Sequence, residues 1–387
     1  MRAGSGRAER PSWQLEWGVP LILAAAVLGV LYLVTPVNRA IALLGDGTTY
    51  TQMVTDLWGK RGHMHRFRIL VPAVVGWLPM DIESGFRLVQ YVSCFLASLF
   101  TCRIARTIGL ELRHATLAAL MFLLTWPTIW NLYQYRLVDA AACAFATAGL
   151  LLILRGELTA AILVAGIGTL AKEAVILIIP LAAYLASRTQ NWRQRLRLGA
   201  VILLALAPYA VVRAMVSEAG VLSLHGGPGA GLDGTLAYIR IWFHIQMREV
   251  GWWRSLLFIF LPFTTLWLLA PLGVARIKRS PRHVLVAWLV LTSPLILLGS
   301  PERMIEIQAP ALIPLAVSGL TGVSPVLAVL IVLGNSLFLM RVASAVVPFW
   351  LAWGSLALAL VGAGWVWLRA LQTDVSSFAA WRESLSS

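Results

Sequence analysis

The chain has 387 residues, of which 59% are hydrophobic and 12% charged, a net charge of +14 and a mean hydropathy of +0.80. Soluble domains carry about 25% charged residues, so this balance excludes an ordinary soluble protein and indicates a polytopic membrane protein. The basic excess falls in short clusters between apolar runs, as in cytoplasmic loops, which argues against nucleic-acid binding, where a basic face on a soluble domain is expected.

In chain order, Arg2, Arg7 and Arg10 precede a first apolar run near 18–36. Val34-Thr35-Pro36-Val37-Asn38 offers no small-residue cleavage site, so the run is read as an uncleaved anchor. Residues 37–84 form a first outer loop, in which Ile69–Leu78 is apolar but too short to cross and is expected as an interfacial or re-entrant helix. Spans follow near 85–107, 115–132 and 138–154. The stretch Leu158–Ser187 has arginines that read as cytoplasmic on both sides, and fits two short helices meeting at Lys172-Glu173 better than one crossing.

Beyond a span near 197–216, residues 217–253 form a second outer loop, Gly-rich at Gly226-Gly227-Pro228-Gly229-Ala230-Gly231 and aromatic from Tyr238 to Trp253. Further spans are predicted near 254–273, 283–299, 324–341 and 347–369, with 306–321, broken by Pro310 and Pro314, as a short return span. The expected fold is all-α, one integral membrane domain over 1–387 with about 12 crossings, both ends inside and no separate soluble domain. Tryptophans such as Trp13, Trp17, Trp252, Trp253 and Trp350 fall near predicted helix ends, where an indole is stable at headgroup level. Cys94, Cys102 and Cys143 lie in or beside apolar runs and read as packing residues, not a disulfide framework.

The chemistry-bearing residues gather at the outer boundary. Asp46, in Gly45-Asp46-Gly47-Thr48-Thr49-Tyr50, follows the first span, and Arg66-Phe67-Arg68 comes later in the same loop. A carboxylate can take a proton from an acceptor, and arginines can stabilise a leaving phosphate through bidentate hydrogen bonds. The alternatives are a turn-forming Asp46 and headgroup-anchoring Arg66 and Arg68. His63 and His65 are too sparse a pair for a metal site, and Asp56-Leu57-Trp58 fits an amphipathic interfacial helix. Lys172 and Glu173, ionisable between apolar helices, mark a functional site with Lys172 meeting donor phosphate, or else a solvated hairpin apex with a snorkelling lysine. Arg136 and Asp139 are expected to pair with each other at a helix end. Glu302, Arg303 and Glu306 form an outer cluster beside a proline break, with Arg303 a second phosphate ligand.

Asp46 with Tyr50 one turn later, the run Arg66-Phe67-Arg68-Ile69-Leu70-Val71-Pro72, Lys172-Glu173 between short helices, and Pro301-Glu302-Arg303 before a proline-containing span resemble bacterial GT-C-type integral membrane glycosyltransferases. The resemblance covers most of the chain as a topology and rests on these short motifs. It implies a polyprenyl-phosphate-linked sugar donor, an active site on the extracytoplasmic face of the inner membrane, and a first-loop acid acting as base or metal-coordinating group. On that pattern Asp46 is catalytic, and Tyr50, Arg66, Arg68, Lys172, Glu173 and Arg303 bind substrate. No cofactor is expected and no metal ligand is assigned, with a divalent ion left open. The chain departs from the commoner pattern in showing a single acid at Asp46, and no large carboxy-terminal outer domain is expected. The acceptor therefore stays open among envelope lipid, glycan and protein. A lipid-linked glycan transporter or flippase and a non-catalytic scaffold of an envelope-polymer assembly are the other readings. No internal repeat supports a transporter, and a scaffold would not need Asp46.

Overall fold

A computed structural model describes residues 13–35, 46–58, 67–217, 244, 248, 251–298, 301–344 and 346–373. Arg66, His63, His65, His225, Asp233 and most of the loop at 217–253 lie outside these residues. Among the described residues there is no strand. The helices are α1 (Trp13–Val34), α2 (Asp46–Thr55), α3 (Leu70–Trp77), α4 (Ile82–Thr107), α5 (Leu112–Leu123) and α6 (Trp126–Tyr133). They continue with α7 (Asp139–Leu154), α8 (Leu158–Thr169), α9 (Ile178–Thr189), α10 (Trp192–Ser217), α11 (Trp252–Phe260) and α12 (Thr265–Arg276). The last are α13 (Arg279–Thr292), α14 (Ala309–Gly319), α15 (Pro325–Ser344) and α16 (Phe349–Thr373).

Among the described residues, six helical stretches are long and apolar enough to cross a membrane: Trp17–Val34, Ile82–Thr107, Leu112–Tyr133, Trp192–Met215, Pro325–Ala343 and Phe349–Gln372. Four shorter apolar stretches, Asp139–Leu154, Leu158–Thr169, Thr265–Arg276 and Ile305–Gly319, add to them. With a mean hydropathy of +0.80, these helices make the chain a membrane protein. The exposed apolar side chains Leu203, Leu204, Leu358 and Val361 suit lipid contact, because a backbone inside hydrocarbon must satisfy its own hydrogen bonds and helices do so.

Local sequence explains where helices begin and end. The Asp81 carboxylate accepts a 3.0 Å hydrogen bond from the Ser84 backbone N–H, capping α4, which would otherwise leave that donor unpaired. Gly109 at φ +98° and Gly156 at φ +78° follow α4 and α7. The left-handed conformation, which costs glycine no Cβ clash, turns the chain sharply into α5 and α8. Pro127 sits in the first turn of α6, where its missing N–H is no loss, and the chain bends between α5 and α6 at Thr125. As expected from the sequence, Lys172 and Glu173 lie between two short helices, with Glu173–Leu177 a 3₁₀ turn leading into α9.

Close packing without bulky side chains draws the shorter helices together. A Cβ on Gly273 of α12 would stand 1.7 Å from the Leu315 carbonyl oxygen of α14, and one on Gly319 would stand 2.4 Å from the Leu269 carbonyl oxygen. In lipid, where apolar tails remove most of the hydrophobic drive between helices, such small-residue contacts let dispersion act at short range. A separate apolar cluster, including Tyr50, Met53, Val75, Phe86 and Val138, seats α2 and α3 on α4 and α7. The Leu70 N–H donates to the Leu170 carbonyl at 3.1 Å, fastening the start of α3 to the end of α8. These contacts fix the platform on which the polar residues meet.

Candidate functional site

Five segments bring charged side chains to one place. Asp46 opens α2 and Asp139 opens α7, and a carboxylate at a helix N-terminus is favoured by the backbone dipole. Arg68 precedes α3, Lys172 and Glu173 link α8 to α9, and Arg303 lies in a one-turn helix, Pro301–Met304, followed by the 3₁₀ segment Ile305–Gln308 that leads into α14.

Arg303 is the bridge. Its Nη1 donates to Asp46 Oδ2 at 2.6 Å, its Nε donates to Asp139 Oδ2 at 2.9 Å, and its Nη2 stands 2.8 Å from the same Asp139 oxygen. The other Asp139 oxygen, Oδ1, pairs with the Lys172 ammonium. A second group adjoins this one: Arg68 Nε donates to both Glu173 carboxylate oxygens at 3.1 and 3.3 Å, and Arg68 Nη1 donates to the Tyr50 hydroxyl at 3.0 Å. Three acids and three bases therefore compensate one another, which is what makes their removal from water tolerable.

Burial is graded across the network. Asp139 and Lys172 are 2% and 4% exposed, whereas the Asp46, Arg303 and Glu173 side chains are 15%, 18% and 30% exposed. The first two are the buried part of the network, and the last three are partly exposed. Burial pushes the Tyr50 phenol well above its ordinary pKa, against the opposing pull of Arg68, so the hydroxyl stays protonated and polar. For Arg68 and Arg303, burial works toward losing the charge, but Glu173 beside the first, and Asp139 and Asp46 beside the second, more than offset it. Both guanidiniums are held above their ordinary range. The network is a fixed array of charge, with Asp46 and Arg303 at its accessible edge.

The structure brings together Asp46, Tyr50, Arg68, Lys172, Glu173 and Arg303, while Arg66 lies outside the described residues. It revises several sequence readings. Arg136 and Asp139 do not pair with each other. The turn before α7 sends Arg136 back toward α2, where its Nη1 donates to Thr51 Oγ1 at 2.9 Å, and Asp139 is taken by Lys172 and Arg303. The Lys172 ammonium is not a snorkelling apex, since it is buried against Asp139. Glu306 is buried rather than displayed: at 2% exposure it accepts a 2.8 Å hydrogen bond from Asn131 Nδ2. Asp56 lies exposed beyond the last residue of α2 and so belongs to no helix there. Asn131 is the polar residue that sequence reading missed, while Asp139 and Glu306 were named with other partners. The available signal for Asn131 was its position at the end of an apolar run, where a buried polar group needs a partner. Among the described residues, no three His, Cys, Asp or Glu side chains gather as a metal-binding group. Asp46 and Asp139 share one guanidinium, that of Arg303.

The chain shares its fold with an oligosaccharyltransferase from Archaeoglobus fulgidus. Against the apo form of that protein the TM-score is 0.52 at 13% identity, covering 92% of this chain and 57% of that one. Against the form tethered through a disulfide bond to an acceptor peptide containing the NVT sequon, the TM-score is 0.50 at 15% identity, covering 91% and 56%. The chain thus spans little more than half the length of the protein it matches, and at these identities the likeness is one of fold. No family model and no curated protein matches the sequence.

Proposed function

We propose that this protein is a GT-C-type glycosyltransferase that moves a hexosyl or pentosyl group from a polyprenyl-phosphate-linked donor to an envelope lipid, glycan or protein. The observation that carries this reading is the bridge from Arg303 to both Asp46 and Asp139 at the meeting of helix ends, within a fold shared with an oligosaccharyltransferase. In the proposed reaction the acceptor hydroxyl loses its proton to Asp46 as its oxygen bonds to the anomeric carbon. The bond from that carbon to the phosphate oxygen breaks, and its electron pair leaves on the polyprenyl phosphate. Arg303, at the accessible edge, stabilises that growing charge through its forked donors, and Arg66 serves as a further phosphate ligand. Asp139 and Lys172 position Arg303, while Tyr50 and Glu173 position Arg68. No step is routed through a metal.

This reading includes about twelve crossings, which takes further short helices beyond the ten apolar stretches, and a site on the extracytoplasmic side of the inner membrane, opposite the basic clusters at Arg193 and Lys278. A scaffold would not require a proton acceptor at position 46. The Asp46→Asn variant keeps the shape and an oxygen to accept from Arg303 but cannot take the proton. Sugar transfer from radiolabelled polyprenyl-phosphate sugars should fall by about 10²–10⁴-fold, with the variant still folded and still binding polyprenyl phosphate. Transfer at close to the parent rate would refute the catalytic role.

A further inference from the structure

The charges of the network are matched, but among the described residues a cation beside it is not. Arg213, in the last turns of α10, lies with its guanidinium carbon 4.2 Å from the centre of the Phe67 ring. Among the described residues Arg213 has no carboxylate partner, whereas Arg68, Lys172 and Arg303 are each paired with an acid. Tyr209, one turn earlier on the same face, meets the same Phe67 ring edge-on at 6.4 Å. Phe67 adjoins Arg68, so this aromatic platform flanks the side of the network at which Glu173 is partly open.

The helix that carries Arg213 is apolar and outward-facing. Leu203, Leu204, Val211 and Met215 expose 74%, 68%, 56% and 51% of their surface. From Trp192 to Arg213 an α-helix rises ~32 Å, about the thickness of the hydrocarbon, so Arg213 stands near the boundary opposite the basic end of α10. An arginine at the edge of a lipid-facing helix is costly unless an anion meets it, and nothing described here supplies that anion from the protein.

We propose that Arg213, stacked on Phe67, is the docking point for the phosphate of the lipid-linked donor as it moves sideways out of the bilayer toward Arg303. This inference rests on the glycosyltransferase reading and adds the route by which the donor arrives. A polyprenyl tail can stay along the apolar face of α10 while its phosphate meets the fork of Arg213. Stacking on Phe67 holds the guanidinium plane without using its donors.

The test uses the full chain, purified and placed in phosphatidylcholine nanodiscs, with undecaprenyl phosphate or phosphatidylglycerol added in separate samples and bound lipid read by native mass spectrometry. The parent protein should prefer undecaprenyl phosphate. Arg213→Gln should weaken that binding about tenfold and leave phosphatidylglycerol binding unchanged. Arg213→Lys, which keeps the charge without the fork, should fall between the two and guards against a folding defect in the first variant. Undecaprenyl phosphate binding by Arg213→Gln within about twofold of the parent overturns the docking role and leaves the donor reading standing. An equal loss of phosphatidylglycerol binding also overturns it, by making Arg213 a general headgroup anchor. A parent protein with no preference for undecaprenyl phosphate removes both the docking role and the donor reading.

Discussion

Asp139 shows how a single residue can be central to a site and still be hard to find in a sequence. Its neighbour Arg136 is three positions away and of opposite charge, yet its actual partners are Lys172 and Arg303, 33 and 164 positions distant. Sequence proximity favours the local pair, and only the turn between α6 and α7 breaks it. Asp46, Arg68, Lys172, Glu173 and Arg303 were legible because each stands at the edge of an apolar run, where a charge has a cost that packing alone does not repay. Their pairing was not legible, because it depends on how helix ends meet. The pairing leads to a prediction. Lys172→Met leaves Asp139 with Arg303 alone and should destabilise the protein by about 3 kcal/mol, toward the lower end of the range for breaking a buried pair. A double-mutant cycle with Asp139→Asn, read by thermal unfolding in detergent, should return a coupling of about 1–3 kcal/mol. A coupling near zero would mean that the two charges are accommodated independently.

At the scale of elements, punctuation carried most of the prediction. Pro310 and Pro314 marked a short return span at 306–321, and α14 runs over Ala309–Gly319. The apolar stretch Ile69–Leu78 was too short to cross, and it folds as α3, Leu70–Trp77. What the sequence could not convey is which helices touch, because a glycine at a helix crossing looks like any other glycine. Gly273 and Gly199 illustrate the difference. A Cβ on Gly273 would meet the backbone of α14, which cannot swing away as a side chain can, whereas a Cβ on Gly199 would meet nothing within 4 Å. Gly273→Ala should therefore cost about 1–3 kcal/mol or more through overpacking. Gly199→Ala, in the interior of α10, should be neutral or stabilise by about 0.5–1 kcal/mol through its better helix propensity. Unfolding temperatures of the two variants in the same detergent provide the comparison, and equal shifts would contradict the α12–α14 contact.

The whole molecule has its charge sorted by end. Asp46, Arg68, Lys172 and Arg303 meet at one end of the bundle. The loop at Gly156-Glu157 lies at the far end of α8 from Lys172, and Arg193 lies at the far end of α10 from Arg213. Arg276 adds a cross-check: its Nη1 donates to the Gly319 and Thr321 carbonyls at 2.9 and 2.6 Å. This puts the end of α12 beside the end of α14, away from Arg303, and takes Lys278 with it. Lys and Arg concentrate in cytoplasmic loops because they resist translocation, so the end with Arg193 and Lys278 should face the cytoplasm and the site should face outward. The three native cysteines, Cys94, Cys102 and Cys143, are 1%, 4% and 2% exposed, so they should give little background with a membrane-impermeant maleimide. Met80→Cys, in the exposed turn between α3 and α4, should label in intact cells. Glu157→Cys, Arg193→Cys and Lys278→Cys should label only after the membrane is opened. Labelling of position 193 in intact cells, with none at position 80, would invert the molecule and place the Asp46–Arg303 site on the cytoplasmic side, where a donor presented from the outer leaflet could not reach it.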